Sequence, residues 1–423
     1  MKLTPFWTDD FPRPSNLPVA AELPSETDVA VIGSGYTGLS AARTLAKGGT
    51  NVVVLDRETI GWGASSRNAG ITGSGIKAGM QTIFKRYGEE YGHKFWQASL
   101  EMLDLIKELA TEEGIEFDWH QKGELGLAYK ASHVEGMKAR VKWYQEKLGD
   151  NIAFVPALEI NKGIGSVAFY GGVFDKHGAG LHPAKLVFGL AEVAARYGAL
   201  LCDEAGVYKI EKEPNGFILH TVKGVLKSKE IIVATNGYTD LLVPKLTRKV
   251  IPVGSYSIVT EPLSQELQNE ISPKDYVFWD SKWFLNYFRL TPDGRMLWGG
   301  RNNLSTTLDL TQSAEKLRSQ MLRAFPQLES VQITHSWTGQ LGLTFDLMPN
   351  IGCEEGIHYA FGYGGHGLHT ALYLGREIAR IITGEIKNSP FMEIPHRTYF
   401  FYRNKPWFLP YVVSYYRIKD WVS

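Results

Sequence analysis

The sequence predicts an α/β fold in which a parallel sheet is assembled from several separated segments and interleaved with an α+β domain. Three observations carry this. An apolar run, Asp28–Ile32, ends in a glycine turn that opens a helix-like stretch, and a second apolar run then ends on an acid. Two later apolar strands also end in glycine-bearing turns, Val233-Ala-Thr-Asn-Gly237 and, after Ile357–Phe361, Gly362-Tyr-Gly-Gly-His-Gly367. Between these units the pattern changes to amphipathic helix and to alternating aromatic strands.

The first unit carries the most chemistry. Gly33-Ser34-Gly35-Tyr36-Thr37-Gly38 separates its strand from a helix over Leu39–Lys47, and the strand Asn51–Leu55 ends on Asp56. The acid falls about 20 residues beyond the glycines, as a dinucleotide-binding fingerprint requires. Gly33 permits the tight turn, Gly35 lets backbone approach a pyrophosphate, and Gly38 lets helix and strand pack closely. N–H groups at the helix start, at Tyr36 and Thr37, face the phosphate charge, and Asp56 can accept from ribose hydroxyls. A bound dinucleotide is therefore expected.

Downstream, a small-residue loop covers Gly61–Gly70. Phe84, Tyr87, Tyr91, Phe95, Leu100, Leu103, Ile106 and Leu109 recur at helical spacing over about 80–112, and a second amphipathic helix covers Val134–Leu148. Short strands follow over Gly165–Phe174. His182-Pro183 starts a helix through Arg196, closed by Gly198. Strands are expected at Val207–Ile210, Phe217–Val222 and Glu230–Ala234, and 250–334 is strand-rich and aromatic. The closing helix covers Leu368–Thr383. The dinucleotide domain is accordingly placed at 1–79, 180–245 and 335–390, the second domain at 80–179 and 246–334, and an aromatic C-terminal segment at 391–423.

Bulk composition narrows the function. With 44% hydrophobic and 21% charged residues in 423, the chain is an ordinary globular one. Forty-five basic and forty-five acidic residues balance, so nucleic acid is not an expected partner. Cys202 and Cys353 form no disulfide framework, no metal-ligand spacing occurs, and a reducing cytoplasm is expected. Met1–Leu23 lacks the apolar core of a signal peptide. The stretch Trp407–Tyr416, flanked by Lys405 and Arg417, could touch a bilayer, but a packed segment is the favoured reading.

The second glycine cluster also spells G-x-G-x-x-G. Glu385, the acid a separate nicotinamide site would need, lies past the helix and not at a strand tip. Its better use is at a flavin ring, where a helix N-terminus meets negative charge on reduction. Five motifs in order, Asp28–Leu39, Gly61–Gly70, Val233–Gly237, Asp346-Leu-Met-Pro-Asn-Ile-Gly352 and Gly364–Gly367, resemble the FAD-dependent D-amino-acid, glycine and sarcosine oxidase superfamily, within it the gamma-glutamylputrescine oxidase-like branch. The resemblance implies a Rossmann-like FAD domain. It places the pyrophosphate at Gly33, Gly35 and Gly38, and the ribose at Asp56 with Arg57. Ser65, Ser66, Arg67 and Asn68 would line the flavin, the Val207 backbone would meet adenine, and Gly364, Gly365, His366, Gly367 and Leu368 would lie against the pyrimidine ring.

Two departures sharpen that expectation. Thr338, Gly339 and Gln340 stand where a tethering cysteine would be, which implies non-covalent FAD. His369 replaces a carboxylate-binding lysine, and no arginine occurs in Trp337–Phe345, which argues for an amine over an α-amino acid. The expected reaction is hydride transfer from the carbon next to nitrogen, giving an imine hydrolysed to an aldehyde, with oxygen or another electron acceptor. Tyr256, Tyr287, Phe288, Trp298 and Trp337 are candidate pocket aromatics, with packing the stronger reading for any single one. Arg289 and Arg301 could hold a distant substrate carboxylate, although surface salt bridges are favoured for them. His366 is expected to serve through its backbone and a hydrogen bond more than as a general base. The alternatives are a glycine or D-amino-acid oxidase or dehydrogenase, and a non-catalytic flavin-binding subunit.

Overall fold

Alternation within the first strand divides the molecule into layers. In Glu26–Ile32, Val29 and Val31 join the core beneath the helix Tyr36–Lys47, whereas Ala30 and Ile32 face Phe217, Leu219 and Leu226. The structure, a computed structural model, describes every residue except Asn302, Asn303, Asn404 and Ser423. The strands Ile357–Phe361, Gly224–Val233, Glu26–Ile32, Val52–Leu55 and Leu200–Cys202 run parallel in that order, with Asn350–Glu354 antiparallel at one edge. Val207–Glu213 and Gly216–Thr221 extend Gly224–Val233 as an antiparallel layer.

The helices Tyr36–Lys47, Pro183–Arg196 and Gly367–Ile382 pack on the Val29 side. Gly375 makes the crossing close, because a Cβ there would lie 2.2 Å from the Thr37 carbonyl oxygen. The helix Pro183–Arg196 starts as expected, with the His182 ring accepting from the Lys185 N–H at 3.2 Å and proline in its first turn.

A second, eight-stranded sheet is antiparallel except where Val277–Asp280 pairs with Glu124–Leu127. Its order is Ile333–Leu343, Ile251–Pro262, Arg295–Gly300, Asn286–Leu290, Val277–Asp280, Glu124–Leu127, Gly171–Asp175 and Ala153–Pro156. One face is an aromatic stack, with Phe288 between Trp298 at 4.4 Å and Phe278 at 5.1 Å.

Several elements depart from the sequence reading. The helix Met80–Thr111 is broken at Gly88, whose φ of 84° lies outside helical space. Of the short strands expected over Gly165–Phe174, only Gly171–Asp175 forms. A helix, Leu310–Ala324, occupies part of the region read as strands. Its side chains Ala314, Leu317 and Met321 pack behind the aromatic stack, and Asp309 caps it by accepting from the Gln312 N–H at 2.8 Å. The C-terminal aromatic stretch leads into a helix, Leu409–Val422, seated through Val412 and Val413 on Ile251 and Val253. Among the described residues no helix is long and apolar enough to cross a membrane.

Candidate active site

A cavity of about 610 Å³ runs from the first glycine turn, past the second glycine cluster, to the second sheet. At its turn end the backbone is cleared by absent side chains. A Cβ on Gly35 would meet Ser65 Oγ at 2.9 Å, and one on Gly38 would lie 1.9 Å from the Gly33 carbonyl oxygen. Gly35 lines the cavity, whereas Gly38 does not and serves the packing of helix on strand. Ser65 Oγ accepts from the Tyr36 N–H at 2.9 Å at the helix start. The Thr37 and Tyr363 hydroxyls are 2.6 Å apart, linking the two glycine-turn helices. Asp56 accepts from the Ser34 N–H at 2.8 Å and the Glu58 N–H at 2.9 Å, and burial pushes its carboxyl up. Arg57 pairs with Asp240 at 3.4 Å, and both line this end with Val207.

The middle is formed by the Gly61–Gly70 loop and the second cluster. Asn68 bridges its own loop, donating to Ser65 O at 2.8 Å and accepting from Gly70 N–H at 2.9 Å. Arg67 donates to Trp62 O at 2.8 Å and lies over the Trp62 ring at 4.3 Å. Among the described residues it pairs with no carboxylate. Ser66 is buried, donates to Gly61 O at 2.7 Å and does not line the cavity, so its place is in the loop's own turn. Gly364, Gly365, His366, Gly367 and Leu368 line the wall opposite. Burial, with Lys77 and His369 next, holds the His366 imidazole neutral, and its Nδ1 has no hydrogen-bond partner among the described residues.

His369 lines the cavity with both nitrogens engaged. Nε2 donates to Gly75 O at 3.2 Å and Nδ1 accepts from the Thr72 hydroxyl at 2.8 Å. Burial pushes its pKa down to about 4, so it carries no charge for a substrate and instead fixes the 72–75 loop. Two cations reach the cavity from other segments. Lys77 reaches the cavity with its stem against Gly364, where a Cβ would meet Lys77 Cγ at 2.7 Å. It makes no hydrogen bond or ion pair among the described residues, and burial followed by Arg301 lowers its pKa to about 7. Arg301, favoured above for a surface salt bridge, donates instead to Gly364 O at 3.0 Å within the cavity.

Beyond them lies an acid. Glu124 lines the cavity where Gly73 leaves room for its carboxylate, and it stands opposite Asp175 across two antiparallel strands. Burial, then the Asp175 charge, pushes it up to about 7, and among the described residues it has no ion pair. Arg140 lies over the Trp279 ring at 5.6 Å and faces the same compartment.

Tyr287 also lines the cavity, its hydroxyl 2.9 Å from Ser255 Oγ. Tyr256 does not. It points into the aromatic core, with its hydroxyl donating to Ser305 O at 2.9 Å and accepting from Leu308 N–H at 3.0 Å. Residues 255 and 257 line the cavity while 256 faces away, as strand alternation dictates. Phe288, Trp298 and Trp337 are likewise packing aromatics. Arg289 is buried outside the cavity, donating to Ala69 O at 2.9 Å and lying over Trp7. Lys77, Glu124, Arg140 and Trp279 went unread in the sequence, since no local motif surrounds them.

Residues 28–381 match the family model described as DAO, FAD dependent oxidoreductase. The chain belongs to that family. This FAD-dependent oxidoreductase is 34% identical to "Probable oxidoreductase OrdL" of Haemophilus influenzae over 85% of this chain and 83% of that protein. It is 32% identical to "Gamma-glutamylputrescine oxidoreductase" of Escherichia coli over 87% of both. In fold it is similar to glycine oxidase from Geobacillus kaustophilus, with a TM-score of 0.76, 20% identity, and coverage of 88% and 100% of the two chains. The residues fit the cofactor. The glycine cradle a Cβ would fill, the Asp56 carboxylate and the unpartnered His366 Nδ1 lie along one cavity. Neither Cys202 nor Cys353 lines it.

Proposed function

We propose that this enzyme oxidises the CH–NH bond of an elongated amine that carries its own carboxylate, of the gamma-glutamylputrescine type, to an imine that water hydrolyses to an aldehyde. The carrying observation is that one cavity joins the dinucleotide turn to a compartment holding three cations, Lys77, Arg140 and Arg301, and an acid, Glu124, that has no ion pair among the described residues. A zwitterionic or doubly charged substrate matches that charge set, whereas a simple monoamine leaves buried charges unanswered. FAD, when bound, supplies the two-electron acceptor for the departing hydride.

The chain's own contributions follow from position. Gly33, Gly35 and the start of the helix Tyr36–Lys47 would hold the pyrophosphate, and Asp56 the ribose. Residues 364–368 would support the pyrimidine end. Lys77, neutral in part near pH 7, is placed to take the proton from a substrate ammonium, and Arg301 to keep the carboxylate in register. Trp279 and Tyr287 exclude water from the reacting carbon. In this assignment the parallel sheet serves the cofactor and the second sheet the substrate.

The same cations favour a second reading, an amino acid held by its α-carboxylate. A substrate panel mixed anaerobically with the FAD-loaded enzyme separates the two. Rapid bleaching by glutamylated diamines supports the first. Bleaching by glycine, sarcosine or D-alanine, with none by the diamines, establishes the second.

A further inference from the structure

The C-terminal helix has one face too many. Its inner face is fully engaged: Leu409, Val412 and Val413 pack on Ile251, Val253 and Leu343, and Tyr416 stacks on Trp283 at 5.1 Å. The Asp420 carboxylate accepts from the Trp283 and Phe284 N–H groups at 2.8 and 3.1 Å. Lys130 donates to the Asp420 carbonyl at 2.6 Å. The helix is therefore held in place, and its outer face is not a packing failure.

That outer face is a stripe. Trp407, just before the helix, then Tyr411, Tyr415, Ile418 and Trp421 follow at steps of four and three, which puts them along one side. Each is more than half exposed, and Trp421 is 83% exposed. Phe400, 90% exposed, joins it through Phe401, whose ring lies 6.4 Å from that of Trp407. By helical rotation Arg417 and Lys419 fall on opposite flanks of the stripe, and Arg403 and Lys405 precede it. From 396 to 423 the sequence has one acid, Asp420, whose carboxylate is already engaged.

Charge and ring chemistry choose the occupant. Two copies meeting through this face about a two-fold axis would set cations against cations. A bilayer interface answers both features, with tryptophan and tyrosine at headgroup depth and flanking basic stems reaching phosphates. We propose that this face docks the enzyme reversibly on an anionic lipid surface, lying on the bilayer without spanning it.

The test is cosedimentation of the FAD-loaded enzyme with large vesicles of phosphatidylcholine alone, or with about a quarter phosphatidylglycerol to set a negative surface potential. The enzyme should pellet with the anionic vesicles, and raising salt should release most of it. Replacing Trp407, Tyr411, Ile418 and Trp421 together by serine should cut partitioning by about tenfold or more while flavin content and melting stay unchanged. Enzyme that stays in the supernatant with both vesicle types overturns the proposal. So does equal binding to neutral vesicles, or a wild-type dimer that the serine variant makes monomeric. If the variant folds poorly, brominated anionic lipids replace that arm. Quenching of wild-type tryptophan fluorescence supports docking, and unchanged fluorescence overturns it.

Discussion

At the turn end of the cavity, Gly33, Gly35, Gly38 and Asp56 belong to one β-α-β unit. At the far end, Lys77, Glu124, Arg140, Trp279 and Arg301 each come from a different segment and meet only because two sheets are formed. The first end is specified by backbone conformation, which glycine spacing records directly. The second is specified by strand register: Glu124 faces Asp175 across one pairing, and Val277 pairs with Glu124 across another, bringing Trp279 alongside. In the proposed assignment, cofactor contacts are thus encoded locally and substrate contacts are not.

The sharpest way to break that comparison is at the glycines. Gly38→Val sets side-chain atoms against the Gly33 carbonyl and should abolish both flavin binding and the cooperative melt of the native protein. Gly35→Val meets only the Ser65 hydroxyl. It should fold and melt nearly as wild type yet retain no flavin. Visible absorbance per chain and a melting curve check both, and equal behaviour of the two variants would remove the distinction between packing and binding glycines.

Acid precipitation should leave all the yellow colour in the supernatant, since no cysteine lines the cavity. Colour retained in the pellet would contradict a non-covalent cofactor.

At the far end the effects are graded. Glu124, pushed up to about 7, is charged above that pH and neutral below it, so KM for a substrate whose ammonium it holds should rise as pH falls through about 7. Lys77 has the opposite sign. It is protonated below about 7, and it becomes able to accept the substrate's proton as pH rises through that value. Glu124→Gln should flatten the acid limb and raise KM about tenfold or more, the loss of one buried charge contact being worth roughly 2 kcal/mol. An unchanged pH profile of KM would place the ammonium elsewhere. The smallest effect belongs to Tyr256→Phe, which loses two core hydrogen bonds and should cost about 1 kcal/mol of stability with kcat almost unchanged. A large fall in kcat would return Tyr256 to the site.

Most of the parallel sheet and the turn end could be read from the sequence, because apolar runs, caps and glycines act over a few residues. His182 and Gly198 bounded their helix in the manner expected. The helix Leu310–Ala324 was missed because Asp309 and its helical spacing sit inside an aromatic, strand-rich stretch. Tyr256 and Tyr287 look equivalent in sequence. Register turns one into the core and the other toward the cavity, and only pairing partners settle which. Of the two arginines the sequence offered as carboxylate holders, Arg301 reaches the cavity and Arg289 does not, and Lys77, which also lines it, stands in no local motif.

The central claim is that one cavity couples FAD to a compartment selecting substrates by both signs of charge. Anaerobic stopped-flow reduction of the FAD-loaded enzyme tests it most directly, comparing a glutamylated diamine with the free diamine and with glycine, in wild type and Glu124→Gln. The account predicts fastest bleaching with the glutamylated diamine, weakened apparent affinity in Glu124→Gln, and unchanged flavin content. Equal rates for all three substrates, or faster reduction by glycine in both proteins, would contradict it.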